Sequence, residues 1–235
     1  MIFEDLPRFY SSNVSVGATI ELSEEEGRHA KVLRLQTTDS VHVIDGVGNL
    51  FLGSIIAKKR SFNVLIESLQ CAEPKPGVGL ILAVAPTKNI GRFEWVIEKA
   101  VEVGVRQIIP IHCENSERVH LKTDRLEKIA ISALKQSKGL WKTEISELSP
   151  IAEVLNIESP SKWIAHCAEG EKASIKALSH QQNQIICIGP EGDFSRTEIE
   201  KALNANFKAV SLGDTRLRTE TAAIVACIAA NLFSD

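Results

Sequence analysis

The sequence predicts an α/β protein of two domains, a small β-barrel followed by a larger domain built on a parallel sheet. Three observations carry that expectation: short β-like runs between turns up to Leu69, a break rich in Pro and Gly from Cys71 to Gly79, and five apolar runs alternating with longer amphipathic segments beyond it. A length of 235 residues suits one large or two modest domains, at roughly 100 to 200 residues each. A hydrophobic fraction of 44% with 24% charged residues belongs to a globular chain and excludes a disordered or fibrous class.

In the first domain, Val41 to Ile44, Leu50 to Ile56 and Phe62 to Leu69 read as strands. Asp45-Gly46, Gly48-Asn49 and Lys58 to Ser61 separate them, a spacing that suits a mostly antiparallel barrel. Ser23 to Leu35 interrupts as a helix, with Ser23 as its cap and Glu26, three residues on, positioned to close a capping box. Two prolines and two glycines in Cys71-Ala-Glu-Pro-Lys-Pro-Gly-Val-Gly79 can continue neither a central strand nor a helix. The domains are therefore set at 1–72 and 78–235, with 73–77 as linker.

Leu80 to Ala85, Gln107 to Ile111, Trp163 to His166, Gln184 to Ile188 and Ala209 to Leu212 are the apolar runs of the second domain, and they imply a largely parallel sheet. Phe93, Val96, Ile97, Ala100, Val101 and Gly104 fall on one helical face, with Glu94, Glu98, Lys99 and Glu102 on the other. Leu121 to Leu140, Glu171 to Leu178, Ser195 to Asn204 and Glu220 to Phe233 supply further helices. In the last, Ala222, Ala226 and Ala230 recur every four residues, a flat face for tight packing within the chain or across a dimer.

The first ten residues carry Glu4, Asp5 and Arg8 where a leader would be basic and then apolar, and no apolar stretch approaches the roughly 18 residues of a membrane span. A cytoplasmic protein is expected. Five cysteines (Cys71, Cys113, Cys167, Cys187 and Cys227) without CxxC spacing exclude a disulfide framework and a zinc knuckle, and read as buried, reduced thiols. His29, His42, His112, His120, His166 and His180 show no metal-ligand spacing, so no metal is expected. A net charge of -3 does not announce a nucleic-acid binder. Local basic clusters oppose it: Lys58, Lys59 and Arg60; Lys122 and Arg125; Lys135, Lys138 and Lys142; Arg216 and Arg218.

The first strand of the second domain runs into Pro86-Thr87-Lys88-Asn89, with neither GxGxxG nor a P-loop, which disfavours the usual nucleotide folds. The glycines follow the fourth and fifth strands instead, in Ile188-Gly189-Pro190-Glu191-Gly192-Asp193-Phe194-Ser195 and in Leu212-Gly213-Asp214-Thr215-Arg216-Leu217-Arg218-Thr219-Glu220-Thr221. Both loops belong at the carboxyl edge of the sheet, where open α/β folds bind ligands. Ser195 with Glu198 reads as a capping box, and a capped turn needs no ligand. Two glycine loops on neighbouring strand ends point to a bound small molecule, and the lack of phosphate-binding lysines points to an adenine-containing one held by backbone groups.

These motifs, with Glu98-Lys99-Ala100-Val101-Glu102-Val103-Gly104-Val105 upstream, closely resemble the RsmE family, uridine-N3 methyltransferases of 16S ribosomal RNA in the SPOUT superfamily. Pro7-Arg8-Phe9-Tyr10, His29 to Leu35 and Asp45-Gly46 look like the family's PUA-like N-terminal domain, so the likeness covers nearly the whole chain. The resemblance implies a trefoil knot in the second domain, S-adenosylmethionine bound in its loops, and a homodimer acting on the RNA of the small ribosomal subunit. It places His166, Ile188, Gly189, Pro190, Glu191, Gly192, Leu212, Gly213, Leu217, Arg218 and Thr221 around the cofactor. The chain departs from the family pattern at Asp193, where a second glycine is usual, and at Thr215, near which an arginine is frequent. Around Gln136-Ser137-Lys138-Gly139 it lacks an arginine and a later proline.

Methylation at uracil N3 requires loss of a weakly acidic proton and support for the resulting anion. Arg218 is the expected stabiliser of that anion or holder of a phosphate, and Glu220 the group that positions the base or accepts its proton. Arg8 and Arg216 are expected RNA contacts. An Arg218–Glu220 ion pair that merely orders the loop is the structural alternative. The same fold acting on another RNA, or serving ribosome assembly without catalysis, are the functional alternatives.

Overall fold

The computed structural model describes residues 6–58, 61–76, 79–178 and 183–231, so Glu4, Asp5, Lys59, Arg60, His180 and Phe233 lie outside the described residues. The chain divides into two compact units, one of Met1–Lys75 with Leu134–Lys142 and one of Pro76–Ala133 with Thr143–Asp235.

The first unit contains Arg8–Tyr10 (β1), Thr19–Glu21 (β2), Glu24–Val32 (α1), Ser40–Ile44 (β3), Asn49–Ala57 (β4) and Phe62–Ala72 (β5). Its sheet runs β1-β3-β4-β5-β2, antiparallel except for the β1–β3 pair, and its edge strands do not pair with each other: a PUA-like half-barrel. Alternating positions of β3, β4 and β5 turn Val41, Val43, Phe51, Ile55, Val64 and Ile66 into a core with Phe9 and Ala30. Ser23 caps α1 by accepting from the Glu26 N–H at 3.2 Å. The expected capping box is only half formed, because the Glu26 carboxylate is taken by Lys135 Nζ at 2.6 Å. Leu134–Lys142 also delivers Trp141, which bridges to Val47 and lies against Gly48. A Cβ on Gly48 would sit 2.5 Å from the Glu73 carbonyl oxygen and 2.6 Å from the Trp141 ring, and φ is +100°, so glycine is required there.

The second unit continues with Gly79–Val84 (β6), Ile90–Glu102 (α2), Gln107–His112 (β7), Thr123–Gln136 (α3, whose last turn belongs to the first unit), Glu144–Ile145 (β8), Ser149–Pro150 (β9) and Ile151–Leu155 (α4). Then come Ser161–Ala165 (β10), Ala173–Ser174 (β11), a 3₁₀ turn at Ile175–Leu178, Asn183–Ile188 (β12), Arg196–Asn204 (α5), Lys208–Ser211 (β13) and Thr219–Asn231 (α6). Every pairing in the sheet is parallel, in the order β11-β13-β10-β12-β6-β7-β8. Helices cover both faces: α4 and α5 with Ile81, Ala83, Ile109, Ile164, Ile185 and Phe207 on one, α2 and α6 on the other. The helix expected over Glu171 to Leu178 is replaced by β11 and the 3₁₀ turn, because Ala173–Ser174 finds a strand partner in Val210–Ser211. On α6, Ala226 and Ala230 are buried within the chain, so its small face serves intramolecular packing, whereas Ala222 is half-exposed. Among the described residues no helix is long and apolar enough to cross a membrane.

Candidate functional site

Because β10, β12 and β13 run in the same direction, the loops that follow them emerge together at the carboxyl edge of the sheet. They enclose two cavities of about 390 and 290 Å³, both walled by Ala165, Cys167, Arg216, Leu217 and Ala222, and hence form one continuous cleft. Volumes of this order suit a small organic ligand. The larger lobe adds His166, Lys172, Leu212, Gly213 and Asp214, and the smaller adds Ile188, Gly189, Pro190, Glu191 and Arg218.

Most of the sequence-derived site is therefore brought together. Gly213 holds φ at +142° and faces open space, so the backbone lies bare on the cleft where a side chain would be strained. The Gly189 carbonyl accepts the Thr219 hydroxyl at 3.1 Å, which ties the two glycine loops together beneath the cleft. Three residues stand apart from the lining. Gly192 is exposed, and its carbonyl accepts from Asn115 Nδ2 at 3.3 Å. Thr221 is exposed on the outer side of α6. Glu220 lies on the first turn of α6 and turns toward α2, where Oε1 is 3.6 Å from the Arg92 guanidinium; the Arg218–Glu220 pair, the structural alternative, is not formed. Successive helical positions rotate by about 100°, so residues two apart on a helix start cannot both face the cleft.

Arg216 and Arg218 are exposed, and among the described residues neither has an ion-pair partner. Of the other basic residues noted in the sequence, Arg125 pairs with Glu94 at 2.5 Å and Lys135 with Glu26. Arg8 sits half-buried on β1 of the first unit. His166 is held below the usual histidine range, first by burial and then by Lys172, against an opposing pull from Asp193 and the Ala168 backbone, and so is neutral near pH 7. Glu191 accepts from the Lys88 N–H at 3.0 Å, which anchors its loop to the end of β6.

The resemblance also places the loop from His166 to Gly170 at the cofactor, and Cys167 of that loop lines the cleft; sequence reasoning missed Ala165, Lys172, Val210, Ser211 and Ala222. In the sequence, Ala165, Val210 and Ser211 stand out only as strand residues, and Lys172 and Ala222 only as helix residues. Four cysteines are buried or half-buried as expected, but Cys167 is exposed at the cleft. Burial pushes the Cys187 thiol up to about 12 and the Cys113 and Cys227 thiols well above the usual range.

A family model described as an RNA methyltransferase domain matches residues 73–231, and one described as an RNA methyltransferase PUA domain matches residues 22–67. Fold and cleft together thus define the class of RNA methyltransferases. A ribosomal RNA small subunit methyltransferase E from Rickettsia conorii is 30% identical over 97% of this chain and 95% of its own. The crystal structure of a probable rRNA methyltransferase from Porphyromonas gingivalis is 38% identical, with a TM-score of 0.88 over 97% of this chain and 98% of that one. A ribosomal RNA small subunit methyltransferase E from Neisseria gonorrhoeae, bound to S-adenosyl methionine, is 27% identical, with a TM-score of 0.83 over 95% of this chain and 96% of that one. The chain belongs to the ribosomal RNA small subunit methyltransferase E family.

Proposed function

We propose that this protein transfers a methyl group from S-adenosylmethionine to N3 of a specific uridine in 16S ribosomal RNA of the small ribosomal subunit, in the cytoplasm and as a homodimer. The observation that carries the proposal is the single cleft formed by both glycine loops, with Arg216 on its shared wall and Arg218 in its smaller lobe.

The residues present fit the cofactor. Ala165, Leu212, Leu217 and Ala222 give apolar walls for an adenine, the bare backbone at Gly213 permits close approach, and among the described residues Lys172 is the only lysine in the lining. The loops at His166, at Ile188 to Glu191 and at Leu212 to Leu217 would hold it. When bound, S-adenosylmethionine supplies an electrophilic methyl group.

Uracil N3 becomes nucleophilic as it releases its proton to water, and a fixed cation lowers the energy of the anion that develops. Arg218 is that cation, since a guanidinium stays charged at any working pH and this one is not already paired among the described residues. Arg216, beside it, contacts an RNA phosphate, and Arg8 offers a second contact from the PUA-like unit. Glu220 acts at one remove: it holds Arg92 and steadies the first turn of α6, whose Ala222 N–H donates to the Arg218 carbonyl at 2.8 Å. In the sheet, β13 lies beside β10 and not beside β12, which requires the chain to cross back and supports a trefoil knot.

Incubation with labelled S-adenosylmethionine and small ribosomal subunits lacking the modification, followed by mass spectrometry of the nucleosides, tests the whole reading. Appearance of 3-methyluridine is expected. A different methylated nucleoside would move the substrate, and cofactor binding without transfer to any ribosomal RNA would favour an assembly role.

A further inference from the structure

Residue 193 stands in the left-handed region, with φ at +63°, where an aspartate is tolerated and most side chains are strained. All of its polar groups are engaged. Its N–H donates to the Pro190 carbonyl at 2.9 Å, and its carbonyl accepts from Asn115 Nδ2 at 3.1 Å. Its carboxylate accepts twice, through Oδ1 from the Phe194 N–H at 2.9 Å and through Oδ2 from the Cys167 N–H at 2.8 Å. The last bond spans from the loop after β12 to the loop after β10, and among the described residues it is the only hydrogen bond joining 166–170 to 189–195. The two strands are in register at Ala165 and Ile188, after which the loops part, and both Cys167 and Asp193 line the smaller lobe where they do so.

We infer that Asp193 is a positioning residue: acting through the Cys167 backbone, it clamps the mouth of the cleft and sets the affinity for S-adenosylmethionine without entering the methyl-transfer step. The inference rests on the reading of the cleft as the S-adenosylmethionine site. A charged acceptor on a backbone N–H holds it more firmly than a neutral one, so the clamp depends on the carboxylate and not on the shape of the loop alone. Glycine at this position accepts the backbone conformation without strain and removes both carboxylate bonds, which separates the clamp from the fold.

The test uses the full-length wild type, Asp193→Gly and Asp193→Asn. Three readouts are taken: titration calorimetry with S-adenosylmethionine, steady-state kinetics on small subunits, and amide hydrogen exchange at Cys167 without ligand. For Asp193→Gly the Kd and KM for S-adenosylmethionine are expected to rise about tenfold, the worth of one charge-assisted hydrogen bond. Its kcat should stay within about twofold, its Cys167 amide should exchange faster, and its melting temperature should not fall. Asp193→Asn, which keeps one acceptor oxygen and loses the other, should fall between. Wild-type affinity in Asp193→Gly, an unchanged Cys167 amide, or a kcat loss as large as the KM gain would overturn the inference. Faster Cys167 exchange in Asp193→Gly, with no S-adenosylmethionine bound by any of the three proteins, would overturn the link to that ligand and place the error in the reading of the cleft.

Discussion

The two sheets of this protein solve burial in opposite ways. In the half-barrel, β5 alternates, hiding Val64 and Ile66 while leaving Leu65 37% and Leu69 49% exposed, so one face of the sheet meets solvent. In the second unit, β6 and β12 are buried at nearly every position because helices cover both faces. A sheet covered on both sides has only the ends of its strands left for chemistry, and the cleft lies at those ends. A sheet with an open face offers a surface, which suits the RNA contact proposed for this unit.

The sharpest way to break this division of labour is Arg218→Ala. Methyl transfer should fall by a factor on the order of 10² to 10³, as when a preorganised charge stabiliser is removed. The melting temperature and S-adenosylmethionine binding should stay near wild type; loss of the fold instead would assign Arg218 to structure. Next, Leu82→Ala in the covered sheet should cost about 3 kcal/mol in denaturant unfolding, since Leu82 is fully buried, while Leu69→Ser in the open sheet should stay within about 0.5 kcal/mol. Equal costs would erase the contrast.

A smaller effect concerns the start of α5. Glu198 completes a capping box with Ser195 and also accepts from the Glu114 N–H at 2.8 Å, so Glu198→Ala should cost about 2 kcal/mol. Maleimide labelling should then mark Cys167 ahead of the buried thiols, and S-adenosylmethionine should slow it. Labelling that ignores the ligand would place the cofactor elsewhere. The least effect is a pH dependence. The folded pKa of His166 is lowered, so its contribution to stability is present above the ordinary histidine value and is lost as the pH falls below it. His166→Gln should flatten the decline in melting temperature between about pH 7 and pH 5; an unchanged slope would remove His166 as its source.

What was legible in the sequence is what is local. The five parallel strands, the buried face of α2 and the Ser195–Glu198 box are written in residues a few positions apart. Where a distant partner intervenes, local reading fails. Glu26 is matched by spacing to Ser23 but is claimed by Lys135, 109 residues away. Glu171 to Leu178 has a helical pattern, yet its middle is drawn into an edge strand by β13. In the site, the glycine loops could be read because their composition is unusual, whereas the bond from Cys167 to Asp193 joins positions 26 apart that carry no shared pattern. Glu220 was misplaced for a geometric reason: the loop becomes helix at Thr219, and the first turn swings its carboxylate to α2.

The segment Leu134–Lys142, which packs Trp141 and Lys135 into the half-barrel, has a consequence for the birth of the molecule. At roughly 5 to 20 residues per second, several seconds separate the emergence of Lys75 from the ribosome and that of Lys142. Through that interval the nascent half-barrel waits with Gly48 and Glu26 uncovered, and it is finished only after the methyltransferase unit's first two strands and first two helices have been made. The N-terminal unit is thus first to be synthesised and not first to be completed, and a fragment that ends at Lys75 lacks the piece that closes it.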